Sequence, residues 1–321
     1  MNKKRILVFL LLLAAFCICF SVYAFGILVE DNPPRVYNIS VIVRGKNSES
    51  WDSVKQGCDQ AASEMNVELS FITLSEENDA AEQAALLNRE LEGGADAAIL
   101  AAADSERLVP AVEQAAVKIP VICIESPVNS SRVSSFISAD NYQMGVQLGQ
   151  EIMDSGNARK RIAVIESSWQ CDNVRQRMEG LASALGSLGG KMIHWPLPDN
   201  SMQASQKIAE QLEKGEADVV IALDVTALEL AAQAISGSYT ESVKLFGIGS
   251  TGRVASFIEQ GTISATIVQN DFGIGYLGVK YAVDAIEARP VASTFEVEHR
   301  LINIENMYDT ENQRLLFPFI R

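Results

Sequence analysis

Groups able to do covalent chemistry are few in this chain, and they are widely spaced. Histidine occurs twice, at His194 and His299, and neither has a partner at metal-ligand spacing, so both read as incidental to catalysis. Cys58, Cys123 and Cys171 are far apart and form no C-x-x-C pair, which excludes a disulfide scaffold and a zinc ribbon. They read as small buried hydrophobes, with a single Cys58–Cys123 bridge left open. Neither a G-x-x-x-x-G-K-[ST] phosphate loop nor a G-x-S-x-G elbow occurs. The run Gly273-x-Gly275-x-x-Gly278 matches a dinucleotide fingerprint, and Glu296 stands near the position of the acidic residue that fingerprint requires. The run comes late in the chain, however, inside a helix expected to begin at Asp271 as N-cap. Small residues there would let two helices approach closely. The expectation is a protein without catalytic turnover, cofactor or metal.

The pattern of elements shows what such a chain is built to do. Short β-branched runs at Asn38–Val43, Val67–Ile72, Ala97–Leu100 and Pro120–Ile124 alternate with stretches of helical period such as Asp52–Met65 and Ala80–Leu91. The second half repeats the alternation from Arg161–Ile165 to Val243–Ile248. Ala95-Asp-Ala-Ala-Ile-Leu100 and Ile119–Ser126 are echoed by Ala217-Asp-Val-Val-Ile-Ala222 and Val243–Ser250. Strands alternating with helices give parallel sheets covered on both faces. Two such units imply two lobes with a cleft between them, and open parallel sheets bind ligands at the C-terminal ends of their strands.

Of 321 residues, 48 % are hydrophobic and 21 % charged, which excludes wholesale disorder. The net charge of −15 opposes binding to nucleic-acid backbones. Ile6–Val29 runs 24 residues without a charge after Lys3, Lys4 and Arg5. As a helix it would reach about 36 Å, enough to cross a hydrocarbon core of roughly 30 Å. The basic flank stays cytoplasmic and sends the rest outside. Val22-Tyr23-Ala24 also suits signal-peptide cleavage, so a retained anchor and a cleaved signal both stand. Glu30–Pro34 forms a stiff linker.

From about residue 36 to 303 the chain resembles the type I periplasmic solute-binding proteins of the ribose- and galactose-binding branch. The resemblance rests on Trp51-x-x-Val54-Lys55-x-Gly57, Ile119-Pro120-Val121-Ile122 and Ile137-Ser138-Ala139-Asp140-Asn141. Further on it rests on Arg175-x-Arg177-x-Glu179-Gly180-Leu181 and Gly261-x-Ile263-x-Ala265-Thr266-Ile267-x-Gln269. It implies an α/β fold of two Rossmann-like lobes with parallel sheets joined by a three-strand hinge, preceded by the N-terminal hydrophobic helix. Crossings are expected near Ser138–Asp140, Gln269–Asn270 and Ala288–Ser293. Residues 36–138 plus 270–290 would form lobe 1 and 139–269 plus 291–303 lobe 2, after a segment 1–35 of signal or anchor and linker. Lactose-repressor-type regulators share this core, but here an apolar segment replaces their DNA-binding domain.

Site residues carry over one at a time. Ser48 and Ser50 take polar or aromatic positions after the first strand, and Trp51 retains an aromatic that can stack on a sugar face. Arg175 matches an arginine opening the first helix of the second lobe, where a planar fork binds two oxygens. Gln269 matches a ligand-contacting glutamine at a hinge strand end. The Asp-Arg pair of ribose binders reads Glu125-Ser126 here, an asparagine is Leu223 followed by a retained Asp224, and an aspartate is Gly249. These changes disfavour ribose itself, and Trp169 adds a second stacking surface. The ligand is expected to be neutral or cationic, partly apolar and carbohydrate-like. The resemblance implies a monomeric extracytoplasmic binder that serves an ABC permease, or alternatively an anchored sensor read by a histidine kinase or chemoreceptor. The tail 304–321, with Leu315, Leu316, Phe317 and Phe319, is expected to pack back onto the domain or to dock a partner.

Overall fold

The computed structural model describes residues 9, 12–21, 35–46, 48–186, 192–198 and 201–317. Residues 12–21 are helical (α1) and belong to a unit of their own, residues 1–36. Most of the proposed anchor or signal, and the linker, lie outside the described residues; among those described, no helix is long and apolar enough to cross a membrane.

Everything from Tyr37 onward forms the second unit, built on two six-stranded sheets. The first sheet contains β1 (Tyr37–Ile42), β2 (Val67–Ile72), β3 (Ala97–Leu100), β4 (Val121–Ile124), β5 (Ser135–Ser138) and, from late in the chain, β11 (Thr294–Glu296). Its order is β11-β5-β4-β3-β1-β2 and all its pairs are parallel. The second contains β6 (Ile162–Glu166), β7 (Ile193–Pro196), β8 (Val219–Ala222), β9 (Lys244–Ile248), β10 (Ile263–Gln269) and β12 (His299–Ile302). Its order is β12-β10-β9-β8-β6-β7, with β12 antiparallel to β10. β3, β4 and β8 are buried along their whole length, as strands covered on both faces must be.

On the first sheet α2 (Asp52–Met65) and α10 (Asp271–Ile286) share one face, while α3 (Ala80–Glu92) and α4 (Val109–Ala116) cover the other. On the second sheet α5 (Asn141–Asp154) and α6 (Asp172–Leu185) take one face. The other face carries α7 (Ser201–Glu213), α8 (Val225–Ile235), α9 (Gly252–Glu259) and α11 (Thr310–Leu316). Each sheet therefore has one helix pair in extreme contact. A Cβ on Gly275 of α10 would lie 1.9 Å from the Val54 carbonyl of α2, and one on Gly57 would lie 2.0 Å from the Phe272 carbonyl. In the second half, Gly145 and Gly180 are crowded in the same way, each 2.0 Å from a backbone oxygen of the facing helix. Gly275, in the middle of the nucleotide-like motif, thus serves a helix crossing. The N-cap of α10 is Asn270, whose Oδ1 accepts from the Gly273 amide, and not Asp271.

The chain passes between the sheets three times. Ala139–Asp140 and Asn270 are two passages, as expected. The third lies at Val297–Glu298, later than 288–293, because β11 stays paired with β5 through Glu296. The boundary expected between 290 and 291 moves accordingly. The Val297 amide donates to the Ser138 carbonyl, and the Asn270 amide to that of Glu298, both at 3.0 Å, binding the three passages into one hinge. The tail packs back: Leu315 and Leu316 are buried in the second core, and Arg300 pairs with Glu311 at 2.6 Å. Phe319 lies outside the described residues. Cys58, Cys123 and Cys171 are buried free thiols, so the Cys58–Cys123 bridge is absent.

Candidate functional site

β1, β4, β6, β8 and β10 point their C-terminal ends into the cleft between the halves, and the polar residues that follow them meet there. Val43 is buried and Arg44 comes next, so the first charge after β1 is delivered to the middle of the cleft. Arg44 donates from Nε and Nη2 to Glu125 at 3.2 and 3.4 Å, and from Nη1 to Asn78 Oδ1 at 3.0 Å. Its guanidinium also lies 5.8 Å from the centre of the Trp51 ring. From the second half, Asn173 donates to Glu125 Oε1 at 2.7 Å and Arg177 Nη2 reaches the same oxygen at 3.5 Å. Arg177 is itself held by Asn141 Oδ1 at 2.8 Å and the Leu223 carbonyl at 2.9 Å.

Burial alone would push the Glu125 carboxyl up, but the two guanidiniums outweigh it and hold it below the usual carboxylate range. Arg44 is raised despite its burial, because Glu125 faces it. Arg177 is lowered, chiefly by burial, with Arg44 adding to the effect and Glu125 opposing it.

Three residues around this cluster, Asn78, Glu125 and Ser168, hold φ of 58°, 59° and 54°. Left-handed backbone outside glycine is uncommon and tends to gather at functional sites. Here it aims side chains into a chain of bonds, because Asn78 Nδ2 continues across the cleft to Ser168 Oγ at 3.0 Å.

A cavity sits on the hinge side of the cluster. Ser50 and Trp51 line it from the first half, Arg177 and Ser250 from the second, and Gln269 and Asp271 at the crossing. Its volume is about 40 Å³. Burial, the dominant influence, pushes the Asp271 carboxyl up to about 7, although a hydrogen bond from Gln269 pulls the other way. A second, roomier chamber lies at the outer edge, among Glu77, Asn78, Glu166, Trp169, Asp224 and Leu230.

The expected residues thus divide. Ser50, Trp51, Glu125 and Gln269 line the inner cavity. Trp169 and Asp224 line the outer chamber, where Asp224 caps α8 through Oδ1 and accepts from Ser167 with its other oxygen. Ser126 is fully buried behind the cavity and its Oγ has no partner. Ser48 opens the 3-10 turn Ser48–Trp51, and its side chain lies outside the described residues. Arg175 pairs with Asp172 and reaches Ser105 Oγ across the cleft at 3.4 Å; it does not line the inner cavity.

Arg44, Arg177 and Asp271 are the residues that sequence reasoning missed. Helical period carried a signal for one of them: Arg177 lies three residues after buried Val174 and four before buried Leu181, on the inward stripe, and Arg175 is off it. Arg44 could have been found as the first charge after a buried strand. Asp271 had no such signal, because an acidic residue at a helix start ordinarily faces solvent. Among the described residues no His/Cys/Asp/Glu group is arranged to hold a metal.

Two α/β halves, a three-passage hinge and a polar cleft lined from both sides define a hinged binding protein. Residues 39–290 match the family model described as a periplasmic binding protein domain, and the chain belongs to that family, as a type I member of the ribose branch. The ribose import binding protein RbsB of Bacillus subtilis (strain 168) is 24 % identical over 271 residues, covering 83 % of this chain and 87 % of that protein. The carbohydrate transporter solute binding protein from Agrobacterium radiobacter, solved with D-arabinose, superposes with a TM-score of 0.82 at 21 % identity, over 87 % of this chain and 98 % of that one. A sugar transporter from Clostridium phytofermentans gives 0.75 at 26 % identity, over 83 % and 99 %.

Proposed function

We propose that this is an extracytoplasmic solute-binding protein whose halves close on a small, carbohydrate-like ligand and deliver it to an ABC permease. The observation that carries the reading is the inner cavity, where Trp51 offers an apolar face while Arg177, Gln269 and Asp271 offer polar groups from the other half and the hinge. The relatives' named ligands, ribose and D-arabinose, support a sugar-like solute, and the relatives being solute-binding proteins supports binding without turnover. Arg175, at the cleft edge, would act on closure through Asp172 and Ser105. The outer chamber, with Trp169 and Asp224, would take any extension of the ligand beyond a single ring.

Mass spectrometry of small molecules released from the natively purified protein tests the reading, followed by tryptophan-fluorescence titration with D-ribose, D-arabinose and D-galactose. A saturable signal from a released sugar is expected. A released compound without hydroxyls, together with silent titrations, would defeat the carbohydrate assignment. Stimulation of a partner permease's ATPase would support delivery, whereas ligand-dependent kinase activity would support the sensing alternative.

A further inference from the structure

Asp271, the first residue of α10, lines the inner cavity and accepts a hydrogen bond from Gln269 Nε2 at 2.9 Å. Gln269 is only 6 % exposed, lines the same cavity, and its Oε1 has no partner. The two facts are connected. Facing a carboxylate, a primary amide must turn its nitrogen toward the charge, and its oxygen is left for whatever occupies the cavity. An unsatisfied buried acceptor is costly, so the position favours an occupant that can donate.

We propose that Asp271 and Gln269 form a proton-gated selector. With Asp271 ionised, Gln269 presents its acceptor oxygen to the ligand. With Asp271 protonated, the carboxyl O–H donates to Gln269 Oε1 and the amide turns to present N–H instead. One proton passes from solvent to Asp271, and the only covalent change is the new O–H bond. The consequence for the ligand rests on the solute-binding reading: the ionised form suits a hydroxyl or ammonium donor, and the protonated form a carbonyl or carboxylate acceptor.

The groups around Asp271 make this titration accessible. Glu125, after β4, opposes ionisation and Arg177, on α6, favours it. Arg44 lines the same cavity and Asp224 the outer chamber. On α2, packed against α10, the titratable groups at the contact are Cys58, whose thiol burial pushes up to about 12 and which stays neutral, and Glu64, which accepts from Tyr276 Oη of α10 at 2.7 Å. Lys55 and Asp59 of α2 pair with each other on its exposed side. Burial exerts the largest influence on Asp271 and holds it at about 7.

Full-length protein labelled with ¹⁵N-glutamine, its Gln269 amide assigned by loss of the signal in Gln269→Asn, should show that amide moving sigmoidally between pH 5.5 and 8.5. The movement should vanish in Asp271→Asn. A carboxyl-¹³C aspartate label in the unmutated protein should titrate with the same midpoint, which keeps the test decisive if that variant fails to fold. An immobile Gln269 amide, or one that moves equally in Asp271→Asn, overturns the selector. With D-arabinose as the probe, the dissociation constant should change at least fivefold across the same pH range and flatten in Asp271→Asn. A constant that does not vary with pH overturns the selector. Complete absence of D-arabinose binding counts against the carbohydrate reading, and the amide titration then decides the selector by itself.

Discussion

Asn173 of the second half, the one neutral side chain on that carboxylate among the described residues, donates to Glu125 Oε1 of the first at 2.7 Å. The carboxylate is thereby shared between an arginine of its own half, Arg44, and two donors of the other, Asn173 and Arg177. In this arrangement both halves supply donors to the one carboxylate. The polar centre of the cleft is thus a closure contact as well as a wall of the cavity.

This relationship predicts different outcomes for two arginines two residues apart. Arg177→Met removes a buried guanidinium from Glu125, Asn141 and the Leu223 carbonyl. It should cost about 3–5 kcal/mol of unfolding free energy, as breaking a buried pair does. Arg175→Ala removes a partly exposed pair with Asp172, and should cost at most about 1 kcal/mol. Urea denaturation of both variants checks the contrast, and equal losses would argue against it.

Glycine substitutions should separate the helix crossings from open turns. Gly275→Ala places a methyl 1.9 Å from the Val54 carbonyl, and the backbone there cannot yield as a side chain would. A loss of at least about 3 kcal/mol, or failure to accumulate as folded protein, is expected. Gly252→Ala has nothing within 4 Å and should be close to neutral. Thermal melting of the pair reads the difference.

Cys171 should report opening of the cleft. Its thiol donates to the Ala103 carbonyl of the other half at 3.2 Å, and burial pushes it up to about 12. Cys58 and Cys123 are equally buried but lie within the packing of the first half. Iodoacetamide at pH 8 should therefore modify Cys171 before the other two, and a saturating ligand should slow that modification severalfold. Peptide mass spectrometry measures it; uniform labelling of all three thiols would exclude cleft opening as the route.

The pH dependence of stability should carry an Asp271 signature of unusual sign. The folded carboxyl sits at about 7 against 3.8 for a free one, so between those values the folded state holds a proton that the unfolded chain has lost. Stability from this group therefore falls as pH rises through that window and levels off above it. Glu125, held low, acts the other way: its contribution is present above the usual carboxylate range and is lost in acid. Relative to the parent, Asp271→Asn should gain roughly 2–3 kcal/mol on moving from pH 5 to pH 8. Urea unfolding at both pH values tests it, and a constant difference between the two proteins would refute the assignment.

The amino-acid sequence by itself determined the alternating elements, the duplication and the family. β2, β3 and α2 fall where periodicity puts them, because buried strands and amphipathic helices are dictated by local patterns of apolar residues. Trp51 and Gln269, taken from the family resemblance, are among the residues that line the inner cavity. Only the tertiary structure decided which charges face inward. Arg175 and Arg177 are chemically alike, and a rotation of about 200° around α6 separates the cleft edge from its centre. Asp271 turned inward because Asn270 took the N-cap, a choice made by hydrogen-bond geometry that residue type does not reveal. The late third passage belongs to the same class: β11 is short and its residues are exposed, so its pairing with β5 is set by the neighbouring strand and not by its own pattern.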